Sequence, residues 1–351
     1  MNLRSQQEGE PFADPQTGAR VTRLTSYPVL NTLQYYGYGT GFTHDSRTVV
    51  FFSHKVPHRS AEYDVYRIDV DGHNTGQLTD YDQVGCVVTS PVDRWIYCMR
   101  GGECRRVHVD TGEDVPIGHV EGVAQSNGYG AMSPDGTAYY PEVFMRNGEK
   151  AILRFRTDGS ESRVLYTSPH PFCATKIEPS EGKVLSISSG RDPLGRNVHL
   201  IDEDGTNLRV INIYDGNGHY NWLGPTKRIL SGLKPHRWGI ATVAEGEERE
   251  DLRYTGANFW HPSASYDGRF MVADTNWPDI GLQLISVKTA RFRTLCLSGS
   301  SNGAPQWSHP HPLFSPDDRY VGFNSDMTGI PHVYVVEIPE EYKAELETPS
   351  P

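Results

Sequence analysis

The segment Gln306-Trp307-Ser308-His309-Pro310-His311-Pro312 sets two imidazoles and a carboxamide close together, where most of the chain's other histidines stand alone. Side chains of an extended segment alternate with period two, so His309 and His311 are expected to point the same way, with the flanking prolines stiffening that geometry. Two imidazoles and the Gln306 carboxamide oxygen can then converge. His261 is the candidate to complete the set, because Trp260-His261-Pro262-Ser263 precedes a Tyr-Asp-Gly turn much as the His-Pro pairs at 309–312 precede Ser315-Pro316-Asp317-Asp318. Three imidazoles and an amide oxygen suit a divalent transition ion such as Mn, Fe, Ni or Zn better than Ca or Mg, which prefer oxygen shells. A rigid loop whose imidazoles hydrogen-bond to backbone carbonyls is the other reading of the same residues.

These groups need a scaffold, and the sequence points to short strands. The chain has 35 Gly and 24 Pro in 351 residues and lacks long stretches with apolar residues at helical spacing, so helix should be scarce. A unit recurs instead: strand, turn, strand, acidic turn, strand. It is clearest from Thr43 to Thr79, Ser133 to Tyr166 and Glu178 to Ile211, with weaker copies beginning at Ser90, Gly224, Ser265 and Ser315. Anchored on Asp45, Asp93, Asp135, Ser180, Thr226, Asp267 and Asp317, the seven copies lie 41 to 50 residues apart, the length of a four-stranded propeller blade. The expectation is an all-β, seven-bladed β-propeller, a single domain over residues 1–351. The propeller would occupy about 19–340, with terminal extensions at 1–18 and 341–351. The last copy lacks one strand, which Ala19 to Tyr27 should supply by pairing across the two ends of the chain.

The composition excludes several classes of function. With 33 Lys and Arg against 44 Asp and Glu the net charge is −11, and no basic run offers a phosphate backbone the cations it needs, so no nucleic acid is expected. The longest apolar runs are a few residues, such as Val49 to Phe52, too short to span a membrane. The amino-terminal MNLRSQQEGEPFADP has no apolar segment of the kind a secretory signal needs. Cys86, Cys98, Cys104, Cys173 and Cys296 are scattered and odd in number, which suits a reducing, cytoplasmic setting.

The stretch QWSHPHPLFSPDDRYVGFNSDMTGIPHVYVVEIPE resembles the C-terminal blade of the oligogalacturonate lyases, whose hallmark is Gln-x-x-His-x-His followed by a Pro-x-Phe-x-Pro-Asp-Asp turn. His261 in NFWHPSASYDG, His219 in GHYNWLGP and the opening FADPQTGARVTRLT extend the likeness to both ends and the last four blades. The resemblance implies a seven-bladed polysaccharide lyase. It implies that Gln306, His309, His311 and His261 hold Mn2+ or a similar divalent transition metal, and that His219 is the catalytic base. At the position of the family's catalytic arginine stands Asn197, with Arg196 beside it. Either a bulge lets Arg196 or Arg191 reach the site as the catalytic cation, or the substrate differs.

The chemistry so implied is β-elimination. A base removes the C5 proton of a uronate, α to its carboxylate, and the C4 glycosidic oxygen leaves, giving a 4,5-unsaturated sugar. Imidazole titrates nearest neutral pH and suits the base, while a metal on the carboxylate offsets its charge. The partner is a small acidic oligosaccharide. Since the chain is itself acidic, local cations such as Arg191, Arg196 or Arg237 must draw that substrate in. Asn197 and Arg237 are placed among the substrate contacts, with Trp222 and Trp307 as faces for sugar rings. Trp238, Trp260 and Trp277, and Tyr35, Tyr36 and Tyr38, are further aromatic candidates. Two alternatives stand beside this reading: a lyase for another uronide, such as a glucuronate-linked one, and a non-catalytic propeller that binds protein or glycan.

Overall fold

The computed structural model describes residues 8–33, 41–55, 62–126, 128–189, 197–213, 219–232, 239–253, 258–276, 278–303 and 306–348. Arg191, Arg196, Arg237, Trp238, Trp277, Tyr35, Tyr36 and Tyr38 lie outside them. Among the described residues, seven antiparallel sheets of four or more strands follow one another along the chain, at 31–77, 85–119, 123–168, 172–211, 220–253, 263–296 and 313–337, and a two-stranded ladder of Asn258–Phe259 with Thr275–Asn276 adjoins the sixth. They are the blades of the expected seven-bladed propeller.

A local device explains the repeat. In blades one, three, six and seven, a Ser or Thr hydroxyl donates to the carboxylate two residues on: Thr43 to Asp45 (2.7 Å), Ser133 to Asp135 (2.6 Å), Ser265 to Asp267 (2.7 Å) and Ser315 to Asp317 (2.6 Å). The same oxygen accepts the amide five residues ahead, as from Ala138 to Ser133 (2.8 Å) and Phe270 to Ser265 (2.9 Å). Each pair of bonds closes the hairpin between the first and second strands, a job Ser, Thr and Asp do well because their short side chains reach nearby backbone.

The innermost strands are Asn31–Thr32, Gly85–Thr89, Gly130–Met132, Phe172–Ile177, Tyr220–Trp222, Ser263–Ala264 and Leu313–Phe314, with Val123–Gln125 pairing on the same strand of blade three as Gly130–Met132. Inner strands touch between blades two and three, three and four, five and six, and six and seven. The Ser-x-Asp hairpins therefore gather at one mouth of the ring, and the starts of the inner strands at the other. Cores form between blades. Phe270, Val272 and Leu284 of blade six pack on Phe314, Val321, Phe323 and Tyr334 of blade seven.

The ring closes as expected. Arg20–Arg23 pairs with His332–Glu337, Val21 lying opposite Val336 and Arg23 opposite Tyr334, and the Leu24 amide continues the ladder to the Val333 carbonyl (2.8 Å). Two features of the termini exceed the sequence reading. Glu10–Ala13 adds a fifth, outer strand, because buried Asp14 turns the chain by accepting the Gln16 and Thr17 amides (3.1 and 2.8 Å). A helix, Glu340–Glu347, buries Tyr342 and Leu346 on the core between blades six and seven, and the Arg293 guanidinium sits 3.3 Å from the Tyr342 ring centre.

His332 lies in this seam. Its Nδ1 lies 3.0 Å from the Thr25 hydroxyl and 3.4 Å from the Asn31 amide nitrogen. Burial, with the nearby Arg23 charge, pulls its pKa from 6.5 to about 4.

Two outcomes follow. Deleting residues 1–29 removes the closing strand and the burial of Val21 and Leu24, about 1.5–3 kcal/mol each. The loss should exceed about 3 kcal/mol and show as a lower urea midpoint or insoluble protein. For His332 the folded pKa lies below the unfolded value, so the unfolded chain binds more protons between the two. Stability is then fully present above pH 6.5 and falls as the pH drops toward 4. Denaturant titrations should show wild type losing on the order of 2 kcal/mol more than His332→Gln across that window.

Candidate metal centre

Three successive blades begin with histidine at the same mouth of the ring. His219 precedes Tyr220–Trp222, His261 precedes Ser263–Ala264, and His309 and His311 precede Leu313–Phe314. One ligand atom from each of His261, His309 and His311 lies within 4.8 Å of the others. Ring centres are 3.9 Å apart for His261 and His311, 5.6 Å for His261 and His309, and 5.7 Å for His309 and His311. His219 lies beside them, its ring 4.5 Å from that of His261 at 27°. The Trp260 indole covers the group, 4.5 Å from His261 and 4.4 Å from His309.

The two histidines of the last blade meet by a different route from the one expected. The segment is not extended. Gln306–Ser308 forms a 3₁₀ turn, with the His309 amide donating to the Gln306 carbonyl (3.0 Å), and His311 takes φ = +44°. That left-handed conformation is uncommon for a side-chain-bearing residue, though histidine tolerates it better than most. The Asn324 amide donates to the Pro310 carbonyl (2.9 Å), tying the kink to the second strand of blade seven.

His261 occupies a break in blade six. The ladder of Asn258–Phe259 with Thr275–Asn276 stops, and that of Ser263–Ala264 with Phe270–Ala273 resumes, leaving 260–262 opposite Asp274. Pro262 has no amide to donate. The Asp274 carboxylate accepts the His261 amide (2.8 Å) and lies 2.6 Å from its Nδ1. It also takes a longer contact, 3.4 Å, from the His311 amide. Asp274 is the residue of this candidate site that the sequence reading missed. Its one signal was an acid at the end of the apolar run Phe270–Ala273, where an exposed turn is the ordinary explanation.

Burial shapes the charges. It holds the His311 pKa well below 6.5, reinforced by the neighbouring imidazoles, and lowers that of His309. It raises Asp274 to about 6, against the hydrogen bonds it accepts. Neutral imidazoles offer lone pairs, which is what a cation needs from them. His309 shows one such pair: Nε2 contacts the Gly303 carbonyl (3.1 Å), while Nδ1 is buried with no hydrogen-bond partner among the described residues. One nitrogen thus sits on a carbonyl, as the rigid-loop reading expects, and the other remains available to a ligand. Two buried imidazoles and a half-buried one with an orphaned lone pair fit a divalent transition ion.

The other expected residues fall as follows. His219 Nδ1 lies 3.4 Å from the Trp260 carbonyl, and its own carbonyl accepts the Ser231 hydroxyl (2.9 Å). The adjoining strand is held by Lys176, whose Nζ donates to the Tyr220 carbonyl (2.6 Å) and whose pKa burial lowers to about 7. Gln306 is exposed; with Trp307, Phe52, His54, Tyr63 and Tyr129 it lines a cavity of about 230 Å³. Asn197 opens the third strand of blade four, half-buried. Trp222 is a correction. It is 2% exposed and packs with Tyr220, Val198, Ile211 and Ile229, so its ring is not open to a sugar. Alternation in Tyr220–Trp222 sends residues 220 and 222 into that core together.

No protein-family model matches the chain. The oligogalacturonate lyase of Dickeya dadantii is 22% identical over 391 aligned positions, covering 94% of this chain and 96% of its own. The oligogalacturonide lyase of Pectobacterium atrosepticum is 23% identical over 382, with the same coverage. The chain is a distant relative of the oligogalacturonate lyases. Solved structures agree on the fold. An oligogalacturonate lyase in complex with manganese superposes with a TM-score of 0.79 at 21% identity, over 97% of this chain and 99% of that one. The Vibrio parahaemolyticus oligogalacturonate lyase gives 0.76 at 20%, over 97% and 100%.

An ion held by these imidazoles would join blades six and seven. Manganese at 100 times its dissociation constant should stabilise the chelator-treated protein by about 2.7 kcal/mol. Thermal unfolding with and without manganese measures this, and His309→Ala should abolish the shift.

Proposed function

We propose that the protein is a metal-dependent lyase that cleaves short oligogalacturonates by β-elimination. The observation that carries the reading is the convergence of His261, His309 and His311 within 4.8 Å with His219 stacked against them. The names of the two curated relatives, which match over nearly their whole length, support the substrate class. The manganese complex of the similar structure supports the choice of ion.

His261, His309 and His311 would hold the ion, with Gln306 as the fourth ligand. When bound it supplies Lewis-acid compensation for the charge of the uronate carboxylate. The protein's own residues do the rest. With Nδ1 of His219 carrying its proton toward the Trp260 carbonyl, Nε2 carries the lone pair and takes the C5 proton of the uronate. The C5–H electron pair becomes the C4–C5 double bond, and the C4–O bond breaks with its electrons leaving on the glycosidic oxygen, which takes a proton from solvent. Ser231 and Lys176 hold the carbonyls of His219 and Tyr220, so the base meets its proton without rearrangement. Trp260 screens the imidazoles from water. We assign the substrate's charge recognition to Arg191, Arg196 or Arg237, and the setting to the cytoplasm. Among the described residues no disulfide joins the five cysteines, which suits a reducing compartment.

A second reading keeps the scaffold and changes the sugar. Asn197 stands where the resemblance implies an arginine, and its amide oxygen is buried with no partner among the described residues. A panel of galacturonate- and glucuronate-linked oligosaccharides separates the two.

Elimination creates a conjugated double bond, so ultraviolet absorbance during incubation with oligogalacturonates is the direct test. Absorbance should rise, stop with chelator and return with manganese. His219→Ala should lower kcat by about 10²–10⁴-fold while still binding manganese. An unchanged rate in that variant would remove His219 from the mechanism, and no rise with any uronide would remove lyase chemistry altogether.

A further inference from the structure

We infer that Asp274 is the positioning residue of the metal centre: it selects the His261 tautomer and sets the affinity of the site. The inference rests on the metal reading above and deepens it. Asp274 is not one of the converging ligands, since the cluster of His, Cys, Asp and Glu donors among the described residues contains the three imidazoles and not this carboxylate. It stands one layer behind them, with side chains 0% exposed for His261 and 1% for Asp274.

The grip is two-point. One carboxylate oxygen accepts the His261 amide at 2.8 Å and the other lies 2.6 Å from its Nδ1. With the backbone held by one oxygen, a rotation of the imidazole breaks the contact of Nδ1 with the other. A carboxylate only accepts, so Nδ1 must carry the hydrogen, and the lone pair is directed from Nε2 toward His309 and His311. A carboxylate behind an imidazole also makes that imidazole a stronger donor to a cation. The contact from the His311 amide, 3.4 Å, extends the same hold to the ligand on the next blade. Asp274 hangs from the Phe270–Ala273 strand, where its carbonyl also accepts the Trp260 amide (2.9 Å). The anchor is therefore a sheet and not a loop.

A purely structural pair would behave otherwise. Asparagine has nearly the same shape and can still accept at one oxygen, so a packing role would survive the exchange. An electrostatic and tautomer-setting role would not. The test is Asp274→Asn in the full-length, chelator-treated protein, with manganese affinity read from the electron paramagnetic resonance signal of free ion, and no activity measured. The expected result is a 10- to 100-fold weaker affinity with an unchanged thermal midpoint of the metal-free protein. An affinity within twofold of wild type would overturn the inference. A second measurement needs no variant: nitrogen-15 correlation spectra of histidine-labelled, metal-free wild type should show His261 protonated on Nδ1. Protonation on Nε2 would overturn it even if Asp274→Asn fails to fold. Wild type that binds no manganese would overturn both this inference and the metal reading. Tight binding without elimination would count only against the proposed reaction.

Discussion

Everything at the histidine mouth depends on the closure of the ring. A propeller blade holds its inner strand against the axis only while both neighbours press on it. Blade seven, which carries His309 and His311, is assembled from both ends of the chain: Tyr320–Ser325 and His332–Glu337 from one, Arg20–Arg23 and Glu10–Ala13 from the other. The Asp14 carboxylate reaches the Leu297 amide (2.8 Å), and the terminal helix clamps the same seam through Tyr342 and Leu346. The fastening is concentrated where two adjacent blades must keep their imidazoles in register.

Within that frame the chemistry comes from departures from regularity. Blades one, three, six and seven share one hairpin device at the far mouth. At the near mouth, blade six interrupts its ladder to place His261 across from Asp274, and blade seven kinks at His311. Backbone irregularity of this kind costs about 1–3 kcal/mol at each strained residue, and the surrounding sheets supply the rigidity that sustains it. Scaffold and site are thus separated along the propeller axis, the repeat at one end and the exceptions at the other.

That separation explains what could be read from sequence. The hairpins of blades one, three, six and seven were legible because each is local, a hydroxyl and a carboxylate two residues apart. The histidines were legible by type and by the order of the blades that bear them. Their geometry was not, because the contacts that set it come from afar: Asp274 is 13 residues from His261 and 37 from His311. The fifth strand at Glu10–Ala13 was hidden for the same reason, its partner being set by a turn on buried Asp14. Trp222 was misread although the rule that corrects it was at hand. Alternation puts Tyr220 and Trp222 on one face of the strand, and the same pairing carries both into the blade core.

Closure by the two chain ends also orders events in time. The Thr25 hydroxyl and the Val333 amide that meet in the seam are 308 residues apart. During synthesis the Arg20–Arg23 segment leaves the ribosome long before His332–Glu337 exists to pair with it, and it must wait as an open edge. Such edges invite other strands, and flanking charges discourage them. Arg20 and Arg23 bracket the segment, and Glu10 meets Arg23 in an ion pair (2.5 Å) within the same amino-terminal hairpin. The nascent chain carries its own guard on that strand, and the histidine cluster is completed only when the last blade arrives.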